Sequence, residues 1–177
     1  MTIYAPFADV FDYPVAGIEE AANACAAGIA RDCPEGCTHM TAFLAGIGGK
    51  TLGQLQELYT HAFDLRPDCT PNLGYHLFGD EGRRGLFLAE LKGRLLARGV
   101  ACGSELPDHI SLVLRYMDLA EEEREALIED CLLPAVARMA EVLDAVDNPY
   151  KHALRALLAF LQCQHEAAGE SAEVVSA

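Results

Sequence analysis

Apolar side chains recur every three or four residues along almost the whole chain, and that period admits helices and little else. Ile18, Ala22, Cys25, Ala26 and Ile29 form one stripe, and Leu55, Leu58, Tyr59 and Ala62 a second. Leu88, Leu91 and Leu95 follow; Val136, Met139, Leu143 and Val146, then Leu154, Leu157, Leu158 and Leu161, complete the pattern. Leu and Ala dominate and Trp is absent, a composition that favours helix over sheet. Start and stop signals agree. Thr51-Leu-Gly-Gln54 has the spacing of a capping box. Thr70-Pro71 and Asn148-Pro149 place a proline just inside a helix behind a capping side chain, and Gly17, Gly36, Gly79 and Gly99 fall at breaks. Ile110 to Met117 alternates imperfectly, but Pro107-Asp108 before it and the acidic run Glu121 to Glu125 after it mark a helix. The expectation is an all-α, single-domain bundle of about eight helices. It occupies residues 1–168, with 169–177 as a flexible C-terminal tail. The long connections at 64–71 and 99–107 are where function is expected.

The charge narrows the partners. Lys and Arg total 13 against 27 Asp and Glu, a formal net charge of −14. Such a chain repels nucleic acid and anionic membranes and attracts a basic partner. No apolar run is long enough to span a bilayer, and the N-terminus has no basic leader, so neither export nor membrane insertion is expected. Seven cysteines, an odd number with no leader, argue for a reducing compartment.

Several motifs are decoys. Cys33-Pro-Glu-Gly-Cys37 is the one tight cysteine pair, and no second pair follows at zinc spacing. Gly46-Ile-Gly-Gly-Lys50-Thr51 resembles the end of a phosphate-binding loop. Leu44 stands where the first glycine belongs, and a helix precedes where a strand is required. His61, His76 and His109 with Asp64, Asp80 and Asp108 show no metal-binding spacing on one helical face, and no Gly-x-Ser-x-Gly elbow exists. Spacing leaves paired carboxylates open as an acid–base site; beyond these, the residues point to no catalytic group, metal or cofactor.

Three clusters between Glu57 and Leu114 stand out: Tyr59 to Asp64, Tyr75 to Gly85 and Glu105 to His109. Each mixes aromatics, carboxylates, His or Arg with glycine, at a cost in stability unless the mixture serves a purpose. Tyr75-His76-Leu-Phe-Gly-Asp80 reads as an aromatic wall with a carboxylate at its lip, or, more plainly, as a patch of core. Glu105-Leu-Pro-Asp108-His109 begins a helix, with Pro107 in the first turn. Glu105, Asp108 and His109 then face one loop mouth as an acidic recognition point for Lys or Arg; the plain alternative is a helix cap.

These clusters, in this order, resemble the NarJ family, the nitrate reductase delta-subunit-like assembly chaperones related to the TorD and DmsD chaperones of molybdoenzymes. The matching pieces are Glu57-Leu-Tyr59, Phe63-Asp64, Tyr75-His76, Gly79-Asp80, Arg84-Gly85, Leu91-Lys92 and Glu105 with Asp108-His109. Asn148-Pro149-Tyr150 is similar to a late Pro-Tyr step in the family. Gly82 departs from the family pattern, where Arg is common, as does Gly74, where a larger residue is common. The resemblance implies a cytoplasmic all-helical chaperone that is not an enzyme. It implies as partner the apo catalytic (alpha) subunit of a molybdenum-containing reductase, bound through its N-terminal segment until molybdenum cofactor and iron–sulfur clusters are inserted. The expected client-peptide residues are Tyr59, Tyr75, His76, Asp80, Arg84, Glu105, Asp108 and His109. Two alternatives are a stably bound subunit of a reductase complex and a helical metal-dependent hydrolase.

Overall fold

Helices form where the apolar stripes run, and they assemble around one helix that is apolar on nearly every side. The computed structural model describes residues 3–79 and 82–175, with side chains through Gly169. The helices are α1 (Tyr4–Phe11), α2 (Ile18–Ile29), α3 (Pro34–Ile47), α4 (Leu52–Tyr59) and α5 (Leu73–Phe78). They continue as α6 (Gly82–Ala97), α7 (Ile110–Leu119), α8 (Arg124–Leu127), α9 (Leu133–Asp144) and α10 (Tyr150–Val175). Wider π-turns continue α4 over Thr60–Asp64 and α8 over Ile128–Leu132. The all-α expectation holds: among the described residues, strand-like pairing is limited to an isolated bridge between Asn72 and His109.

The helix α10 packs on α3 and α9, α3 on α2, and α1 on α2 and α7. Its stretch Ala153, Leu154, Ala156, Leu157, Leu158, Ala159, Phe160 and Leu161 is buried throughout, as a central helix requires. Phe43, Tyr59, Phe63 and Tyr150 form an aromatic knot at its N-terminal end, with ring centroids 4.9–5.7 Å apart. Asn148 holds this end together. Its Oδ1 accepts the Tyr150 amide at 3.0 Å, and its Nδ2 donates to the Leu58 carbonyl at 2.8 Å, where α4 widens into its π-turn.

The predicted caps are partly realised. Thr51 and Gln54 make the reciprocal capping box, so the phosphate-loop lookalike is the end of α3 followed by the cap of α4. Thr70-Pro71, by contrast, does not open a helix: α5 starts at Leu73 with Asn72 before it, because Pro71 is engaged with Ile110 instead. Likewise α7 starts at Ile110 with His109 as its cap, three residues beyond Pro107. The backbone of α10 runs on to Val175.

Gly36 sits inside α3 and not at a break. A Cβ there would lie 2.9 Å from Cys33 Sγ and 3.1 Å from the Ala156 carbonyl oxygen, so its role is close approach between α3 and α10. Gly36→Ala is expected to lower stability by about 1–3 kcal/mol through overpacking, measured by denaturant unfolding. A neutral or stabilising result would contradict this crossing.

Candidate peptide-binding groove

Two stretches far apart in sequence are clasped side by side. The Leu73 amide donates to the Asp108 carbonyl at 2.9 Å, and the Ile110 amide donates to the Pro71 carbonyl at 2.8 Å. Asp108 completes the clasp with its side chain. It is 0% exposed; Oδ2 accepts the Gly74 amide at 3.0 Å and faces Arg84 Nη2 on α6 at 3.5 Å. Gly74 makes this possible, since a Cβ at that position would lie 2.8 Å from Asp108 Oδ2 and 3.1 Å from the Phe87 ring. Burial pushes the Asp108 pKa above its usual range, with the Arg84 guanidinium opposing the shift.

His109 caps α7. Its Nδ1 accepts the Ser111 amide at 3.3 Å and lies 2.8 Å from Ser111 Oγ, which places the ring proton on Nε2. That proton points toward Tyr59 Oη at 3.4 Å, with Glu105 Oε2 at 4.0 Å. Tyr59 in turn donates to the Phe11 carbonyl at 3.2 Å. Burial holds the His109 pKa below 6.5, against the raising influence of Glu105, Asp12 and Asp108.

Above the clasp lies a groove with a cavity volume of about 700 Å³, within the range of roughly 300–1,000 Å³ typical of ligand sites. Tyr13, Tyr59, Phe63 and Tyr75 supply its aromatic surface; Asp64, Glu105 and Arg84 supply its charges. The Arg84 guanidinium stands 5.9 Å from the Tyr75 ring centroid, close enough for cation–π attraction. Tyr13 packs edge-on against Tyr59 at 5.5 Å yet remains 48% exposed.

Of the expected site residues, the fold brings Tyr59, Tyr75, Arg84, Glu105 and His109 to this groove. Asp108 lies beneath it, fully buried, and does not face the loop mouth. His76 is turned inward as well: its Nε2 donates to the Thr70 carbonyl at 2.7 Å, and its own carbonyl accepts from Arg138. Burial lowers the His76 pKa, against the raising effect of the Thr70 bond. Asp80 lies outside the described residues. Phe78 packs on Phe87 at 5.3 Å and is not part of the groove wall. The groove also takes in Tyr13 and Leu106, which the expected set lacks, and Asp64, which the sequence marks only as the end of the cluster from Tyr59. The signal for Tyr13 is an aromatic outside any helical stripe, set between Asp12 and Pro14.

Cys33 is buried and its thiol is pushed up to about 11, chiefly by burial, beside Cys163. Neither Cys33 nor Cys37 belongs to a converging set of metal ligands among the described residues. The set that does converge is Glu125, Glu129 and His165, on the surface.

Two outcomes follow from the geometry. Asp108→Ala strands the Gly74 amide and the Arg84 charge, and should cost about 2 kcal/mol or more in chemical denaturation, where an exposed recognition residue would move stability within about 0.5 kcal/mol. His109 is neutral in the fold but charges in the unfolded chain below its ordinary pKa. It therefore makes stability fall as pH drops through about 6.5. In His109→Asn, which keeps a cap acceptor, the pH dependence of unfolding should be flatter between about pH 7 and pH 5 than in the parent chain; equal slopes would contradict the buried neutral imidazole.

Residues 26–171 match the family model described as nitrate reductase delta subunit. Over 109 residues, 61% of the chain, the sequence is 30% identical to a Bacillus subtilis (strain 168) protein described as "Probable nitrate reductase molybdenum cofactor assembly chaperone NarJ". The aligned part spans 59% of that relative's length.

Proposed function

Because the chain belongs to the nitrate reductase delta subunit family, we propose that it is an assembly chaperone. Its client is the apo catalytic subunit of a molybdenum-containing reductase, held through an N-terminal segment while molybdenum cofactor is inserted. The observation that carries this reading is the groove: four aromatic rings beside Asp64 and Glu105, on a chain with a net charge of −14. An amphipathic peptide laid there would rest its apolar side chains on Tyr13 and Tyr75, over the buried rings of Tyr59 and Phe63, and direct its cations to the two carboxylates. Micromolar affinity, about −8 kcal/mol, suits a client that must later leave.

A binding role is also favoured by how the polar groups are occupied. His109 Nδ1 is used by Ser111 and the Tyr59 hydroxyl by the Phe11 carbonyl. Neither is left as a base poised beside a nucleophile. The family's description as a subunit favours one other reading, a permanent place in the finished enzyme. In that case the chain would co-purify with active reductase in fixed ratio, whereas a chaperone would be recovered with the apo subunit and lost on maturation.

Calorimetric titration with the N-terminal peptide of the client tests the groove. Asp64→Asn with Glu105→Gln should weaken binding by about 1 kcal/mol at low salt, and the difference should shrink once the Debye length falls below about 8 Å. Tyr13→Ala should weaken it about tenfold at any salt. Affinity unmoved by all three changes would place the client elsewhere.

A further inference from the structure

A second cleft lies away from the groove, along the seam between α6 and residues 121–132. Phe87, Glu90, Leu91 and Arg94 stand at helical spacing on one face of α6 and line one wall. Glu122, Glu123, Ala126, Leu127, Asp130 and Cys131 line the other. The floor is apolar: Leu91 and Leu127 are buried, and Phe87 and Cys131 are half-buried. The two walls are bridged by ion pairs, from Arg94 to Glu123 at 2.9 Å and from Arg98 to Glu122. A cavity of about 330 Å³ remains between them, near the lower end of the roughly 300–1,000 Å³ of binding pockets. That is room for side chains of a partner and not for a whole large ligand.

The charge around the cavity selects what enters. Arg94 is shared between Glu90 and Glu123, and Arg98 is engaged by Glu122 and the Leu119 carbonyl. Among the described residues Asp130 has no cationic partner. From Glu121 to Asp130 the chain carries six carboxylates and a single cation, Arg124. A second copy of this chain, itself at −14, is repelled from such a surface. We propose that this seam docks a basic amphipathic peptide segment of a partner protein, which buries an apolar side chain against Phe87, Leu91 and Leu127 and sets Lys or Arg against Asp130.

The proposal does not depend on the groove. The probe is a synthetic tagged helical peptide with Leu on two successive turns and Arg on either side. Its affinity is read by fluorescence anisotropy, and its position by the rate of Cys131 alkylation, mapped by mass spectrometry on the full-length chain. Bound probe should slow Cys131 alkylation several-fold and leave Cys37 unchanged. Ala126→Arg fills the exposed wall with bulk and positive charge, and should weaken binding about tenfold with an unaltered melting temperature. Asp130→Asn, which leaves the cavity shape intact, should weaken it several-fold at low salt and less at high salt. Tyr13→Ala, in the groove, should leave it unchanged. No binding, or binding that neither protects Cys131 nor responds to Ala126→Arg and Asp130→Asn, overturns the proposal. So does sedimentation showing that a dimer of this chain covers the seam.

Discussion

The buried carboxylate of Asp108 joins three pieces of this fold that share no sequence neighbourhood. Its carbonyl takes the Leu73 amide, and its side chain takes the Gly74 amide and faces Arg84. A charge removed from water is costly unless its partners are good. Here they are incomplete: among the described residues, Asp108 Oδ1 and Arg84 Nε have no hydrogen-bond partner. The clasp fixes Thr70 to Asn72 along one side of the groove and Glu105 to His109 along the other, with α6 held beside them through Arg84.

The groove therefore has two layers. Tyr59 and His109 belong to the core as much as to the groove, tied by hydrogen bonds to Phe11 and Ser111. Tyr13, Asp64, Glu105 and Leu106 stand over that layer, where the proposed client would make its contacts. A similar layering occurs at the α6 seam, where the apolar floor lies beneath paired Glu and Arg and Asp130 stands outside those pairs.

Periodicity made the helices and most of the core readable from sequence, because a 3.6-residue repeat states which face is buried. Thr51-Gln54 and Asn148 were readable for the same reason: capping is local chemistry. Pro71 and Gly36 were misread because their roles are tertiary. Pro71 offers its carbonyl to Ile110, and Gly36 clears space for the Ala156 carbonyl, neither of which is written in the neighbouring residues. The site clusters were visible as anomalies in a Leu/Ala background, but their depth was not. Asp108 and His76 are as polar as Glu105 in sequence; the Gly74 amide turns Asp108 inward and the Thr70 carbonyl turns His76 inward. Tyr13 was invisible because it reaches the groove from the far end of the chain, where no helical pattern marks it.

Amide hydrogen exchange, resolved by segment, compares the parent chain with Asp108→Ala most directly against this account. If the clasp is the element on which the groove depends, exchange should accelerate in residues 70–78 and 105–110, while α3, α9 and the buried stretch of α10 stay as protected as before. Unchanged exchange at Leu73, Gly74 and Ile110 would contradict it. So would acceleration spread evenly over the whole bundle.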